Sequence, residues 1–301
     1  MQKIIEEFIT VNKEKIVRVT VADERWYLRE MYSPEGLPYT VYVPSVTWIA
    51  SHYPKGVGFY KWLANKGWDE AEALKQAAGD KGSKVHFAIA SLIDGNDVKM
   101  DSKFKNPSTG IDEELTLEEY EAIMSFHSWF LETKPEILLR EIVVFNDKEE
   151  YAGTCDFICR IKEKLHLIDF KTSQYVWPEH EIQISAYKHA LIGKSFPDFK
   201  TGEAITFDDT LNLAILQLGY GRNKKGFKFT DIADQFDLFL AAKTIWRKEA
   251  SSQHPSVKDY PVSISLPKPE PVIKPSSEVI TDNLKTKGDE KNGIPTCSSE
   301  V

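Results

Sequence analysis

Cysteine is scarce: the 301 residues hold three, Cys155, Cys159 and Cys297. Cys155 and Cys159 stand too close along one apolar stretch to frame a disulfide network, so a reducing, cytosol-like compartment is expected. Long apolar runs are missing too. No stretch approaches the ~18 residues of a membrane span, and the opening MQKIIEEFITVNKEK carries charge where a signal peptide has its apolar centre. Neither export nor membrane insertion is expected. Positive charge is in deficit, with 38 Lys and Arg against 46 Asp and Glu. A protein that coats a polyanion through its overall field is disfavoured, while a local basic groove stays open. Neither an internal repeat nor a phosphate-binding Gly-x-x-x-x-Gly-Lys-Ser/Thr loop occurs.

What is present is a hydrophobic content of 42%, ample for a sizeable core. The segments KIVRVTV, RWYLREMY and YTVYVPSVTWIA are rich in β-branched and aromatic residues and predict a β-rich N-terminal extension over 1–50. Helices are predicted over 58–66 and 69–79, with a break at Gly79-Asp-Lys-Gly82. Ser83 then reads as the N-cap of KVHFAIASLIDG, where Val85, Ile89 and Ile93 recur at helical spacing. Residues 99–114 read as a loop. Thr116-Leu-Glu-Glu119 is a capping box opening a helix that ends before Pro135. Strands are predicted over 137–145, 151–161 and 165–173, joined by the short charged links NDKEE and KEK as antiparallel hairpins. A helix over 179–192, the strand LNLAILQLGY, a Gly-Arg-Asn-Lys-Lys-Gly turn, FKFT, and a helix from Asp231 to about Glu249 follow. This order predicts an α/β fold, a central mixed β-sheet flanked by helices, reaching to residue 265. Beyond it, Pro, Ser, Lys and Glu dominate, and 266–301 is expected to be a disordered tail.

The stretch CDFICRIKEKLHLIDFKTS, residues 155–173, sets charge among apolar residues. Side chains alternate along a strand, so Asp169 and Lys171 share one face, and His166 faces away from them. A turn centred between Lys162 and Glu163 puts Asp156 opposite Asp169, and one centred between Lys148 and Glu149 puts Glu141 opposite Asp156. Three carboxylates in a row on apolar strands repel and are costly to desolvate unless a cation or proton neutralises them. A hard divalent ion suits such oxygens, and a neighbouring ammonium can orient water and offset charge on phosphorus.

The pattern resembles the PD-(D/E)XK nuclease superfamily, whose signature is an acid on one strand and acid-any-Lys on the next, here Asp156 and Asp169-Phe170-Lys171. The histidine in GSKVHFAIASLI, His86, and the Gln183/Tyr187 pair in QISAY are similar to further marks of its RecB branch, which includes phage exonucleases and the mitochondrial genome maintenance exonuclease. The likeness covers roughly residues 42–250. It implies a restriction-endonuclease-like core in a nuclease domain over 51–265. His86, Asp156, Asp169 and the Phe170 carbonyl would hold Mg2+, with Mn2+ as a substitute, and Lys171 and Glu141 would complete the catalytic set. Gln183 and Tyr187 would contact DNA. The implied activity is exonucleolytic cleavage of single-stranded or free-ended DNA in recombination, repair or phage DNA processing. It implies a bacterial or phage-infected cytoplasm and a single-strand-binding or recombination protein as partner. A structure-specific endonuclease and a non-catalytic DNA-binding module are the alternatives. Several relatives hold an iron–sulfur cluster on four cysteines. This chain has too few, so no cluster is expected.

Each residue also has an ordinary reading. His86 sits among Val85, Phe87 and Ile89, as a core histidine would. Gln183 can bridge helices, Tyr187 can be a half-buried ring, and Glu141 can pair with a surface lysine. Trp48, Tyr53, Tyr60, Trp62 and Trp68, interleaved with Lys55, Lys61 and Lys66, read first as core and second as a stacking surface for bases. The GRNKKGFK turn reads as a solvated hairpin tip more readily than as a phosphate contact.

Overall fold

Alternating β-branched and aromatic residues open the chain as an antiparallel meander of β1 (Lys3–Ile9), β2 (Lys15–Val21), β3 (Glu24–Tyr32) and β4 (Pro38–Pro44). The structure, a computed structural model, describes residues 3–9, 15–21, 24–250, 254–255 and 266. The chain divides into a unit Met1–Lys258 and a unit Asp259–Val301. Leu266 apart, the expected disorder of 266–301 lies outside the described residues. The segment YTVYVPSVTWIA, expected to be extended throughout, changes state at Pro44. Ser45 accepts a hydrogen bond from the Trp48 N–H (3.1 Å) and starts the short helix α1 (Val46–Ala50).

After α2 (Val57–Lys66), the break expected at Gly79–Gly82 does not occur. A single helix, α3 (Trp68–Ile93), runs through both glycines, and Ser83 donates to the Gly79 carbonyl (3.0 Å) instead of capping a new helix. Two glycines cost a helix about 1 kcal/mol each. Burial of Val85, Ala88 and Ile89 further along offsets that cost. The segment read as loop contains the hairpin β5 (Lys103–Lys105) and β6 (Asp112–Glu114). Helix α4 (Leu117–Thr133) begins with the predicted capping box. Glu119 accepts the Thr116 N–H and also meets the buried Lys84 ammonium at 2.9 Å, tying α4 to α3.

The central sheet contains β7 (Glu136–Asn146), β8 (Tyr151–Ile161), β9 (Lys164–Lys171), β12 (Asn212–Leu218) and β13 (Phe227–Ile232), in the order β13-β12-β9-β8-β7. Between β9 and β12 lie α5 (Pro178–Leu191) and the small pair β10 (Ser195–Pro197) and β11 (Ala204–Thr206). Because α5 carries the chain back across the sheet, β12 joins β9 in parallel. The other neighbours are antiparallel, so the sheet is mixed, as expected. Helix α6 (Phe236–Glu249) starts later than predicted because Asp231 remains in β13, paired with Ala214.

One sheet face packs against α1, α5 and α6, and its core includes Trp26 from the N-terminal meander. The Trp48 ring packs edge-on against Trp26 and Trp246, with centroids 4.9 and 5.2 Å away. The other face packs against α3 and α4 around Phe126, Trp129, Phe157 and Phe170. Of the aromatic run, Trp48 and Tyr53 belong to the core, whereas Tyr60, Trp62 and Trp68 are exposed. No helix among the described residues is long and apolar enough to cross a membrane.

Candidate metal centre

The β7–β8 and β8–β9 hairpins keep the register expected from their turns beside the acids, Phe157 opposing Ile168 and Ile142 opposing Cys155, with a shift only between Ile137 and Leu139. At the row of acids the regular pairing lapses. Glu141 adopts a left-handed backbone (φ +46°) in the middle of β7, a conformation that costs a non-glycine residue about 1–3 kcal/mol and collects at functional sites. Cys155 and Ile158, three apart, lie in one core cluster, so β8 changes face between them, at Asp156. The hairpin register sets Glu141 opposite Asp156.

Helix α3 delivers His86 to the same place, because Val85, Ala88 and Ile89 anchor it against the sheet. The His86 Nε2–H donates to the Phe170 carbonyl (3.2 Å). That leaves Nδ1 facing the acids, 3.5 Å from Asp156 Oδ1 and 4.0 Å from Glu141 Oε1. Asp156 accepts the Phe170 N–H through Oδ2 (2.7 Å). Ligand atoms of His86, Glu141 and Asp156 fall within 4.8 Å of one another, the one such group among the described residues. Asp169 is outside that group and buried. Its Oδ2 lies 2.6 Å from the Lys171 ammonium, with which it forms an ion pair.

The charges are held unequally. Burial pushes the Glu141 carboxyl up, and Asp156 pushes it further, to about 7, against the opposing pull of His86. Burial likewise raises Asp169, with Asp156 adding to it and Lys171 opposing, to about 6. Burial works against the His86 imidazolium, but the charge and hydrogen bond of Asp156 overcome it and lift the group to about 9. Asp156 is also penalised by burial, yet His86, Lys171 and the Phe170 N–H hold it below its ordinary value. Protons therefore balance a pocket with too many acids for its size. The donor set is one imidazole nitrogen and carboxylate oxygens, with the Asp169 carboxylate, paired with Lys171, beside it. That set fits a hard divalent cation.

Gln183 and Tyr187 share one face of α5, and the Gln183 amide donates to the Tyr187 hydroxyl (2.7 Å). Tyr187 is only 3% exposed and lies under β8, so of the two only the half-buried Gln183 is open to a ligand. The ring fits there because residue 153 has no side chain. A Cβ on Gly153 would stand 2.3 Å from Tyr187 Cε1 and 3.2 Å from Val46 Cγ2. Gly153→Ala is expected to cost about 1–3 kcal/mol through overpacking, read as a lower urea midpoint with an unchanged slope.

Cys155 and Cys159 are buried as free thiols in separate core clusters, and His166 lies against Phe229 on the face away from Asp169. The sequence singles out neither Glu179 nor His180, and Lys55 only among the lysines of the aromatic run. Lys55 pairs with Glu179 at the start of α5. Burial, with Lys171 and Lys55 nearby, depresses His180 to about 2, so this imidazole stays neutral and its Nδ1 accepts the Trp177 N–H (3.4 Å). The signal was the Pro-Glu-His-Glu run at 178–181, which reads as a helix start. Compared with known protein families and with curated proteins, the sequence matches none.

Proposed function

We propose that this protein is a metal-dependent DNA exonuclease of the PD-(D/E)XK kind, acting on single-stranded or free-ended DNA in the cytoplasm. The observation that carries the reading is the convergence of His86, Glu141 and Asp156 beside the buried Asp169–Lys171 pair. His86, Glu141, Asp156 and Asp169 would hold Mg2+, or Mn2+ in its place, with the Phe170 carbonyl at hand. A divalent ion bound there supplies charge neutralisation at the phosphate and lowers the pKa of water.

The chain's own groups do the rest. Lys171 presents an ammonium where charge develops on the phosphate oxygens. Neutral Gln183, held by Tyr187, offers amide hydrogens to a backbone phosphate without adding charge. Apolar packing behind the site, from Phe157 and Phe170 on one face and Ile158 and Leu167 on the other, keeps bulk water from the acids. The buried free thiols accord with a reducing compartment.

End-labelled linear DNA incubated with Mg2+ is expected to be shortened from its ends, with cleavage stopped by chelator and covalently closed circles left intact. Cleavage of circles would make the activity endonucleolytic. Binding with no metal-dependent turnover would leave only a DNA-binding module.

A further inference from the structure

Immediately beyond Lys171, the chain displays two large rings to solvent on a loop that is otherwise tied down. Tyr175 and Trp177 are 53% and 51% exposed, and their centroids are 5.6 Å apart with planes tilted by 37°. The Arg222 guanidinium, from the turn between β12 and β13, lies 4.3 Å from the Tyr175 ring centre. Four hydrogen bonds fix the loop. Gln174 donates to the Gly219 carbonyl (2.7 Å) and accepts the Gly221 N–H (3.0 Å), Gln217 donates to the Ser173 carbonyl (2.9 Å), and Ser173 donates to the Tyr175 carbonyl (2.7 Å). Exposed aromatic surface on a preordered loop loses little entropy when it is covered.

We infer that Tyr175, Trp177 and Arg222 form a platform on which bases of a single DNA strand stack beside the metal site. This rests on the nuclease reading for its ligand and goes beyond it in naming the groups that distinguish an unpaired strand from a duplex. Three observations choose the occupant. Two rings are too small a patch for a stable protein interface, which takes about 800 Å² from each partner. They suit bases, whose flat faces stack on aromatic side chains whatever the sequence. A cation lies over one of them, Arg222 on the Tyr175 ring, where a phosphate backbone beside the stacked bases would meet it. In a duplex the base faces are already stacked on one another, so an unpaired strand gains most here.

The test uses the full chain in chelator, so that nothing is cut, and fluorescence anisotropy with labelled oligothymidine, the same strand carrying abasic positions, and a blunt duplex. The native chain is expected to bind the intact strand best and to show quenched tryptophan emission. The double variant Tyr175→Ala/Trp177→Ala is expected to bind it about 30-fold more weakly or worse, at no cost to abasic-strand affinity. Tyr175→Phe/Trp177→Phe should restore most of the difference. Equal binding of intact and abasic strands by the native chain, or undiminished affinity in the alanine variant, overturns the platform. So does a change in oligomeric state of that variant with strand binding unchanged, which would assign the rings to a second copy. If native cleavage persists alongside such a result, only the platform fails. If base-dependent binding holds but magnesium never produces cleavage, the nuclease reading fails and the platform survives.

Discussion

Replacing Lys171 with alanine is expected to slow metal-dependent cleavage of linear DNA roughly 10²–10³-fold, the usual loss when one preorganised donor to a developing oxyanion is removed. The chain should stay folded. In the native site the ammonium is 2.6 Å from an acid that is 2% exposed, and stranding a buried carboxylate ordinarily costs several kcal/mol. Here Asp169 already titrates near 6 because burial opposes its charge. Loss of the lysine therefore lets it take up a proton, which limits the penalty. Lys171→Ala is expected to stay slow at saturating Mn2+, as loss of a donor to the phosphate predicts; a rate restored there would mean that Lys171 serves only to hold the Asp169 carboxylate for the ion. Time courses on end-labelled oligonucleotides, with circular dichroism melts as the folding control, decide it. Native-like rates in Lys171→Ala and Asp169→Asn would remove both residues from the reaction.

Much of this arrangement was legible beforehand because it depends on period and turn length. Short charged links between apolar strands leave one simple pairing, and that pairing lines up the acids. His86 is legible by its helix, although local propensity predicts a break at Gly79 that the structure does not have. Propensity weighs each glycine locally, while the burial of Val85, Ala88 and Ile89 that keeps the helix whole depends on the far side of the sheet. The left-handed backbone at Glu141 had no signal at all, since nothing in ILLREIVVF marks a positive φ and glycine is absent there. Tyr187 was placed on the right helix face and given the wrong exposure, because the space it fills comes from Gly153, which lies on another element. Exposed rings in a loop carry no periodicity, so the Tyr175–Trp177 pair has no signal in the sequence. Only the contacts with Gly219 and Gly221 show that the loop is held.

The metal-free protein is expected to lose stability steadily from pH 5 to pH 9, and a divalent ion is expected to reverse the trend. Folding raises three groups above their ordinary values: Asp169 from 3.8 to about 6, Glu141 from 4.5 to about 7, and His86 from 6.5 to about 9. In each, the folded chain holds its proton more tightly than the unfolded chain. The contribution is full below the ordinary value and disappears as pH rises through the raised one. Asp156, lowered, acts in the opposite sense, but only in more acid solution. A divalent ion competes with these protons, so its uptake should tighten as pH rises and should release protons on binding. A hundredfold excess over Kd stabilises by about 2.7 kcal/mol, roughly 5–10 °C in Tm for a domain of this size. At pH 8 with Mn2+ that full shift is expected, and at pH 5.5 less than half of it. Titration calorimetry in two buffers of different ionisation enthalpy counts the protons released. His86→Gln should remove the imidazole's share of the loss between 6.5 and 9 and, with its charge gone, let the Glu141 and Asp156 carboxyls rise, which moves the acid-side loss to higher pH. A thermal shift independent of pH, or one larger in acid, would mean that the ion binds elsewhere and that these acids are balanced by protons alone.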